Sequence, residues 1–149
     1  MTTYIQNRKA RFDFDILETV EAGLVLFGFE AKSIRTGKVK LEGSYVIIRG
    51  DEAFLVGATI SPYQAPNTPK SYETDRPRKL LLSRKQIAEL KRQSETDRLT
   101  IVPIKLYNNN RHIKLEIGVA RGKKKHDKRE SLKERDSKRD IARTLKNQY

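Results

Sequence analysis

Residues 99–130, LTIVPIKLYNNNRHIKLEIGVARGKKKHDKRE, change character at one point. Up to Ala120 the apolar side chains alternate, with Ile113, Leu115 and Ile117 set against Lys114 and Glu116. A period of two puts successive side chains on opposite faces, so this is a half-buried strand with one core face. The asparagines of "NNN" supply the turn that pairs it with the preceding apolar run as a hairpin. After Arg121 apolar residues become sparse. A fold must therefore be complete by about residue 122, and the residues beyond it cannot share its core. The spacing divides the chain into a body, residues 1–122, and a basic tail, residues 123–149.

Charge supports the same boundary. The chain has 149 residues and a net charge of +13. Residues 1–120 hold 20 Lys+Arg against 14 Asp+Glu, whereas residues 121–149 hold 12 against 5. The shorter segment thus carries the larger surplus. A surplus of this sign points to a polyanion, and nucleic acid is the first candidate. A membrane is the poorer one, because no apolar stretch approaches the roughly 20 residues that span a bilayer. "MTTYIQNRKA" has no apolar core of a secretory signal. The absence of cysteine removes disulfides, thiolate metal sites and a cysteine nucleophile. A cytoplasmic protein is expected.

Within the body, "RFDFDI" alternates and predicts a strand carrying Phe12, Phe14 and Ile16, with a bend at Gly23. "FEAKSIRTGK" predicts one or two helical turns stopped by Gly37. "SYVIIRGDEAFLV" predicts a hairpin turning at "RGDE", its return running from Ala53 to Ile60. Residues 61–79 hold four of the five prolines and predict a long loop. Ser83 caps a helix whose Ile87 and Leu90 share a face. The sum is a mainly β body: a small OB-like antiparallel β-barrel, closed or nearly so, with two or three flanking helices.

No catalytic set emerges. The two histidines, His112 and His126, fit no Ser/His/Asp spacing. Asp13 and Asp15 share a strand face on this pattern and could hold a divalent metal in a nuclease, yet any alternating strand does this on its solvated side. No enzyme, metal or cofactor is expected. Binding is better represented. Basic residues cluster at Arg8, Lys9 and Arg11; at Lys32, Arg35, Lys38 and Lys40; at Arg76, Arg78, Lys79, Arg84 and Lys85; and at Arg111, His112 and Lys114. Each cluster sits at an element end, where it could track a phosphate backbone. There is no Trp and most of the phenylalanines read as core, leaving Tyr63 and Tyr72 in the long loop as exposed aromatics, so backbone and shape recognition is favoured over base stacking. Leu80, Leu81 and Leu82 cannot all face one core from a short segment, so either the strand is buried on both faces or one leucine meets a partner.

Taken in order, "NRKAR", "EAGLVLFGFEAKSIRTGK", "ISPY", "RKLLLS" and "IGVARGKKKHDKRE" resemble the tmRNA-binding small protein B (SmpB) family of bacterial trans-translation. The resemblance runs from about Asn7 to Lys146. It implies an OB-like body that binds the tRNA-like domain of tmRNA and delivers it to stalled ribosomes, with no catalytic step, acting as a monomer. It implies tmRNA contacts at Asn7, Glu21, Leu81 and their neighbours. With the basic clusters, the expected RNA-binding set is Asn7, Arg8, Lys9, Arg11, Glu21, Lys32, Arg35, Lys79, Leu81 and Arg111. Phe12 and Ser83 depart from common family residues and are left out. The alternative is a structural RNA-binding protein of the ribosome.

The tail is too polar to fold alone. Its charges are nonetheless ordered: Glu134–Lys138 lie at i,i+4, and Asp136–Arg139 and Asp140–Arg143 at i,i+3, each pair contributing about 0.2–0.5 kcal/mol in a helix. It is expected to be disordered when free and helical against a polyanion. The resemblance places it in the message channel of the small ribosomal subunit beside the decoding region, with Lys123, Lys124, His126, Asp127, Lys128, Arg129, Lys133, Lys138 and Arg139 as contacts.

Overall fold

The computed structural model describes residues 2–123. The expectations for Lys124, His126, Asp127, Lys128, Arg129, Lys133, Lys138 and Arg139, and for the paired charges of residues 134–143, lie outside the described residues.

In chain order the elements are β1 (Thr2–Gln6), α1 (Arg8–Asp13), β2 (Phe14–Leu24), α2 (Gly28–Arg35), β3 (Val39–Lys40), β4 (Tyr45–Arg49), β5 (Glu52–Val56), β6 (Thr59–Ile60), β7 (Arg78–Leu81), α3 (Arg84–Glu95), β8 (Thr100–Asn109) and β9 (His112–Gly122). Seven strands form one antiparallel sheet in the order β1-β8-β9-β2-β7-β5-β4, and β3 pairs with β6 apart from it. The sheet curls until β4 packs against β8. Aliphatic side chains fill the curl, among them Ala22, Leu55, Leu80, Leu106, Leu115, Ile117 and Val119, all buried. The architecture is mainly β and OB-like. Of the two expected forms, closed or nearly closed, the sheet takes the second: no hydrogen-bonded ladder joins β1 to β4, so it stays open at those edges.

The first strand differs from its sequence pattern. Residues 8–13 are helical, because Asn7 caps α1 by accepting a hydrogen bond from the Ala10 amide at 3.2 Å. The period-two spacing of Phe12 and Phe14 therefore straddles a helix end and a strand start. Asp13 closes α1 while Asp15 stands on β2, so the two carboxylates are not successive outward residues of one strand. Nor does Gly23 bend the chain. β2 runs through it to Leu24, and a Cβ there would lie 3.2 Å from Leu81 Cβ, so glycine lets β7 lie close over β2.

The hairpin of β4 and β5 forms as expected, but its return stops at Val56. Gly57, at φ +87°, turns the chain so that Thr59 and Ile60 pair with β3 instead. α2 ends at Gly37, whose φ of +80° suits a C′ glycine. α3 starts at Ser83, where Ser83 Oγ accepts from the Gln86 amide and Gln86 Oε1 accepts from the Ser83 amide, a reciprocal cap. None of the five phenylalanines is fully buried: Phe14 packs half-buried against Ala10, Val102 and Ala120, whereas Phe27 is 49% exposed.

Candidate nucleic-acid interface

Strand register builds an outer surface. Gly23 of β2 pairs with Lys114 of β9 and with Leu81 of β7, and Lys114 pairs with Tyr107 of β8. Cross-strand partners share a face, so Tyr107, Lys114, Gly23 and Leu81 form one row. The neighbouring row is Lys105, Glu116 and Glu21. Between these rows lies Leu115, opposite Ala22 and Leu106, all pointing into the core.

A groove of about 250 Å³ opens at the end of the first row. Arg35 reaches it from α2, Leu81 from β7, Arg111 and His112 from the β8–β9 turn, and Lys114 from β9. Leu81 is 54% exposed while Leu80 is buried, which answers the question raised by the leucine run. Asn109 pairs with His112, so the turn is Asn110–Arg111 rather than "NNN". Asn110 and Arg111 adopt φ of +51° and +68°. The left-handed region is unfavourable for arginine, and a tight two-residue turn holds it there. The turn thus fixes the Arg111 backbone at the groove mouth. Three cationic groups around one apolar side chain suit a nucleic-acid backbone with an accessible sugar or base.

Glu21 lies one row away. Its Oε2 accepts from the Tyr107 hydroxyl at 2.5 Å, and Asn109 Nδ2 donates to both carboxylate oxygens at 3.3 and 3.4 Å. The Tyr107 hydrogen bond, aided by Asn109 and the Lys114 charge, holds the Glu21 pKa below the ordinary carboxylate value against the opposing effect of burial. Burial, and then the same carboxylate, pushes the Tyr107 hydroxyl well above its usual range. Glu21 is therefore an exposed, ionised acceptor whose direction is set by neutral donors.

The row continues to α1. Arg11 stands 4.0 Å and Lys105 3.6 Å from Glu116, and a second groove of about 250 Å³ is bordered by Arg8, Arg11 and Lys105. Arg8, Arg11, Glu21, Arg35, Leu81 and Arg111 thus share the face that runs over β8, β9, β2 and β7. Lys79, at the parity of Leu81 on β7, is exposed on the same side, 3.6 Å from Glu52. Lys9 borders a different groove, with Tyr45, and Lys32 lies 5.9 Å from the Tyr63 ring. Asn7 is 3% exposed: besides its cap it donates Nδ2 to the Pro103 carbonyl at 2.9 Å and to the Leu41 carbonyl at 3.4 Å. Its side chain braces α1 against β8, with both its amide hydrogens and one lone pair of Oδ1 engaged inside the protein. Lys105 and Asn109 complete the face, with Tyr107 between them buried at 4% exposure beneath Glu21. Their alternate spacing along β8 was a usable signal, since it puts them at the parity of an outward row.

Two basic residues read as phosphate-tracking are placed otherwise. Arg78 is fully buried and Arg76 partly so, both paired to Glu30, which is itself inaccessible. Glu30 Oε2 accepts from Arg78 Nη2 at 2.8 Å, Arg78 Nε and Arg76 Nε at 3.1 Å, and the Tyr72 hydroxyl at 2.8 Å; Oε1 accepts from the Phe27 amide and Arg76 Nη2. Burial would raise the Glu30 pKa, but the hydrogen bonds from Arg76, the Phe27 amide, Arg78 and Tyr72 outweigh it and hold it below the ordinary value. Tyr72 is likewise no free aromatic: burial and its bond to Glu30 push its hydroxyl up to about 12. This cluster fastens α2 and the long loop to the sheet. Its partners stand more than 40 residues apart in sequence, so no local pattern announces it.

Among the described residues no group of three or more His, Asp or Glu could hold a metal, and no helix is long and apolar enough to cross a membrane.

The family model described as SmpB protein matches residues 4–147. The chain is 50% identical over 141 residues to the SsrA-binding protein of Chloroflexus aurantiacus (strain ATCC 29366 / DSM 635 / J-10-fl), covering 95% of this chain and 88% of that one. It is 48% identical over 141 residues to the SsrA-binding protein of Thermosynechococcus vestitus, covering 95% and 93%. A solved structure described as "tmRNA-SmpB: a journey to the center of the bacterial ribosome" superposes with a TM-score of 0.67 at 40% identity, covering 86% of this chain and 93% of that one.

Proposed function

The chain belongs to the SmpB family, and from that premise we propose that it binds the tRNA-like domain of tmRNA and delivers it to stalled ribosomes. There the ribosome is rescued and the nascent chain tagged for degradation. The observation that carries the reading is the continuous outer face of β8, β9, β2 and β7, where Arg35, Leu81 and Arg111 meet at one groove beside an oriented Glu21.

Each group has work suited to its chemistry. Arg35, Arg111 and Lys114 neutralise phosphates, which supplies affinity and makes it salt-dependent. Leu81 packs on a sugar or base face at the groove floor. Glu21 accepts a hydrogen bond from a base N–H or a 2′-OH, the group that tells RNA from DNA. Arg8, Arg11 and Lys79 extend the phosphate contacts, and Lys9 and Lys32 lie at the margin. Asn7 acts by keeping α1, and hence Arg8 and Arg11, in place. Residues 123–149 enter the message channel of the small subunit, with Lys123, Lys124, His126, Asp127, Lys128 and Arg129 nearest the decoding region and Lys133, Lys138 and Arg139 beyond. The protein contributes no catalytic step and works in the cytoplasm as a monomer.

Gel shifts against tmRNA, its isolated tRNA-like domain and ribosomal RNA test this. Preference for the first two is expected, and equal affinity for all three would overturn the adaptor reading. Truncation after Gly122 should leave tmRNA affinity nearly unchanged and abolish tagging.

A further inference from the structure

A groove larger than the one at Leu81, about 390 Å³, opens on the other side of α2. Ala31 and Arg35 of α2 face the Leu81 groove, whereas Phe29 faces this one. Its lining is aromatic. Phe27, 49% exposed, lies 5.5 Å from Phe29 by ring centroids, and Tyr72 meets Phe29 edge-on at 4.8 Å. The Arg76 guanidinium lies 4.1 Å from the Phe27 centroid and is fixed there by its bonds to the buried Glu30. Ser71 and Glu73 form a polar wall, and Lys32 stands one helical turn beyond Phe29.

We propose that this groove holds an unpaired base of a single-stranded RNA, its face against Phe27 and Phe29. Three observations favour that occupant. The rings are held by Arg76 and Tyr72, so the stacking platform is already formed and little ordering is needed on binding. Every base offers a π face, and base stacking on aromatic or guanidinium planes is how single strands are held. Cations stand at its border: Arg76 lines the groove, and Lys32, one helical turn beyond Phe29, is the nearest lysine along α2 for a flanking phosphate. An apolar side chain of a protein would gain nothing from these charges. Ser71 and Glu73 are left to meet the polar edge of the base. The site uses none of Leu81, Arg35 or Arg111, and it rests only on the partner being RNA.

The test is a titration of the full chain into a short unstructured RNA carrying 2-aminopurine, whose fluorescence is quenched by stacking. Quenching is expected with the wild type and with Phe27→Tyr. Phe27→Leu keeps an apolar side chain but loses the ring, and should weaken quenching-linked binding roughly tenfold. Ser71→Trp fills the groove from an exposed position, removes no side chain that bonds Glu30, and should do the same, which covers the case of a misfolded Phe27 variant. Wild-type binding by both Phe27→Leu and Ser71→Trp would overturn the proposal. So would quenching that disappears in Leu81→Ala but survives in both of these, since the oligonucleotide would then sit in the other groove. A protein partner as occupant would show as no quenching in any variant. Failure of the tmRNA interface is read separately, from gel shifts of Leu81→Ala and Arg111→Ala.

Discussion

Glu21 and Glu30 invite comparison. Both accept from a tyrosine hydroxyl, and both ionise more readily than a free carboxyl. Glu30 is inaccessible and answered by two arginines, so its charge is cancelled where it stands. Glu21 stands on the open face and is answered by Tyr107 and Asn109, which carry no charge. Arginine partners turn a carboxylate into internal structure. Neutral donors fix its direction and leave its charge on offer. The same distinction separates Arg78, spent inside, from Arg111, held at a groove mouth.

The strongest way to break this comparison is Glu30→Gln. It leaves the buried Arg78 guanidinium and the partly buried Arg76 under-compensated, a loss of about 3–5 kcal/mol when a buried pair is broken, against a typical total of about 5–15 kcal/mol. The urea midpoint should fall sharply; a wild-type midpoint would show that Glu30 is not structural. Acid titration sharpens the point. Because the folded pKa of Glu30 is depressed, its contribution is fully present above the ordinary value of 4.5 and is lost as pH falls through the folded value. Stability of the wild type should therefore drop below that pH, and Glu30→Gln should show a shallower drop. Asn7→Ala removes a cap and two carbonyl partners and should cost about 1–2 kcal/mol, with tmRNA affinity unchanged once folded. An affinity loss without a stability loss would instead make Asn7 a contact. Glu21→Gln should do the reverse, lowering tmRNA affinity several-fold while the melting temperature holds. Tyr107→Phe, which only releases the carboxylate's direction, should lower affinity by less than Glu21→Gln.

What the sequence disclosed was local. Ser83 with Gln86, the alternation of Ile113, Leu115 and Ile117, and the stop at Gly37 depend on neighbours, so their physics is written in a few adjacent residues. The leucine run was legible only in part: three consecutive leucines exceed what one core face accepts, but the run left a strand buried on both faces open, and it was the family resemblance that singled out Leu81. α1 was hidden because Phe12 and Phe14 imitate a strand across a helix boundary that Asn7 sets. The burial of Arg78 was hidden because nothing in "RPRK" separates it from Lys79 next door; only a carboxylate far along the chain does. In the candidate site the cations were visible as types, but which of them share a face with Glu21 depends on the register of β2 against β9 and β7. That register is a property of the assembled sheet.

The placement of β2 also has a consequence for how the molecule is made. Its ladder partners are β9 and β7, both far downstream, and Asn7 is bonded to the carbonyl of Pro103. The β8–β9 hairpin can form by itself, but the amino-terminal strands cannot be seated until the chain has been synthesised through Gly122. Pairings of such long sequence separation fold slowly, on the order of milliseconds to seconds, because loop closure precedes any gain from contact. During synthesis Phe14 to Leu24 must wait with an apolar face uncovered, and the hydrophilic residues between its core positions, Asp15, Glu18 and Glu21 among them, keep that waiting strand soluble.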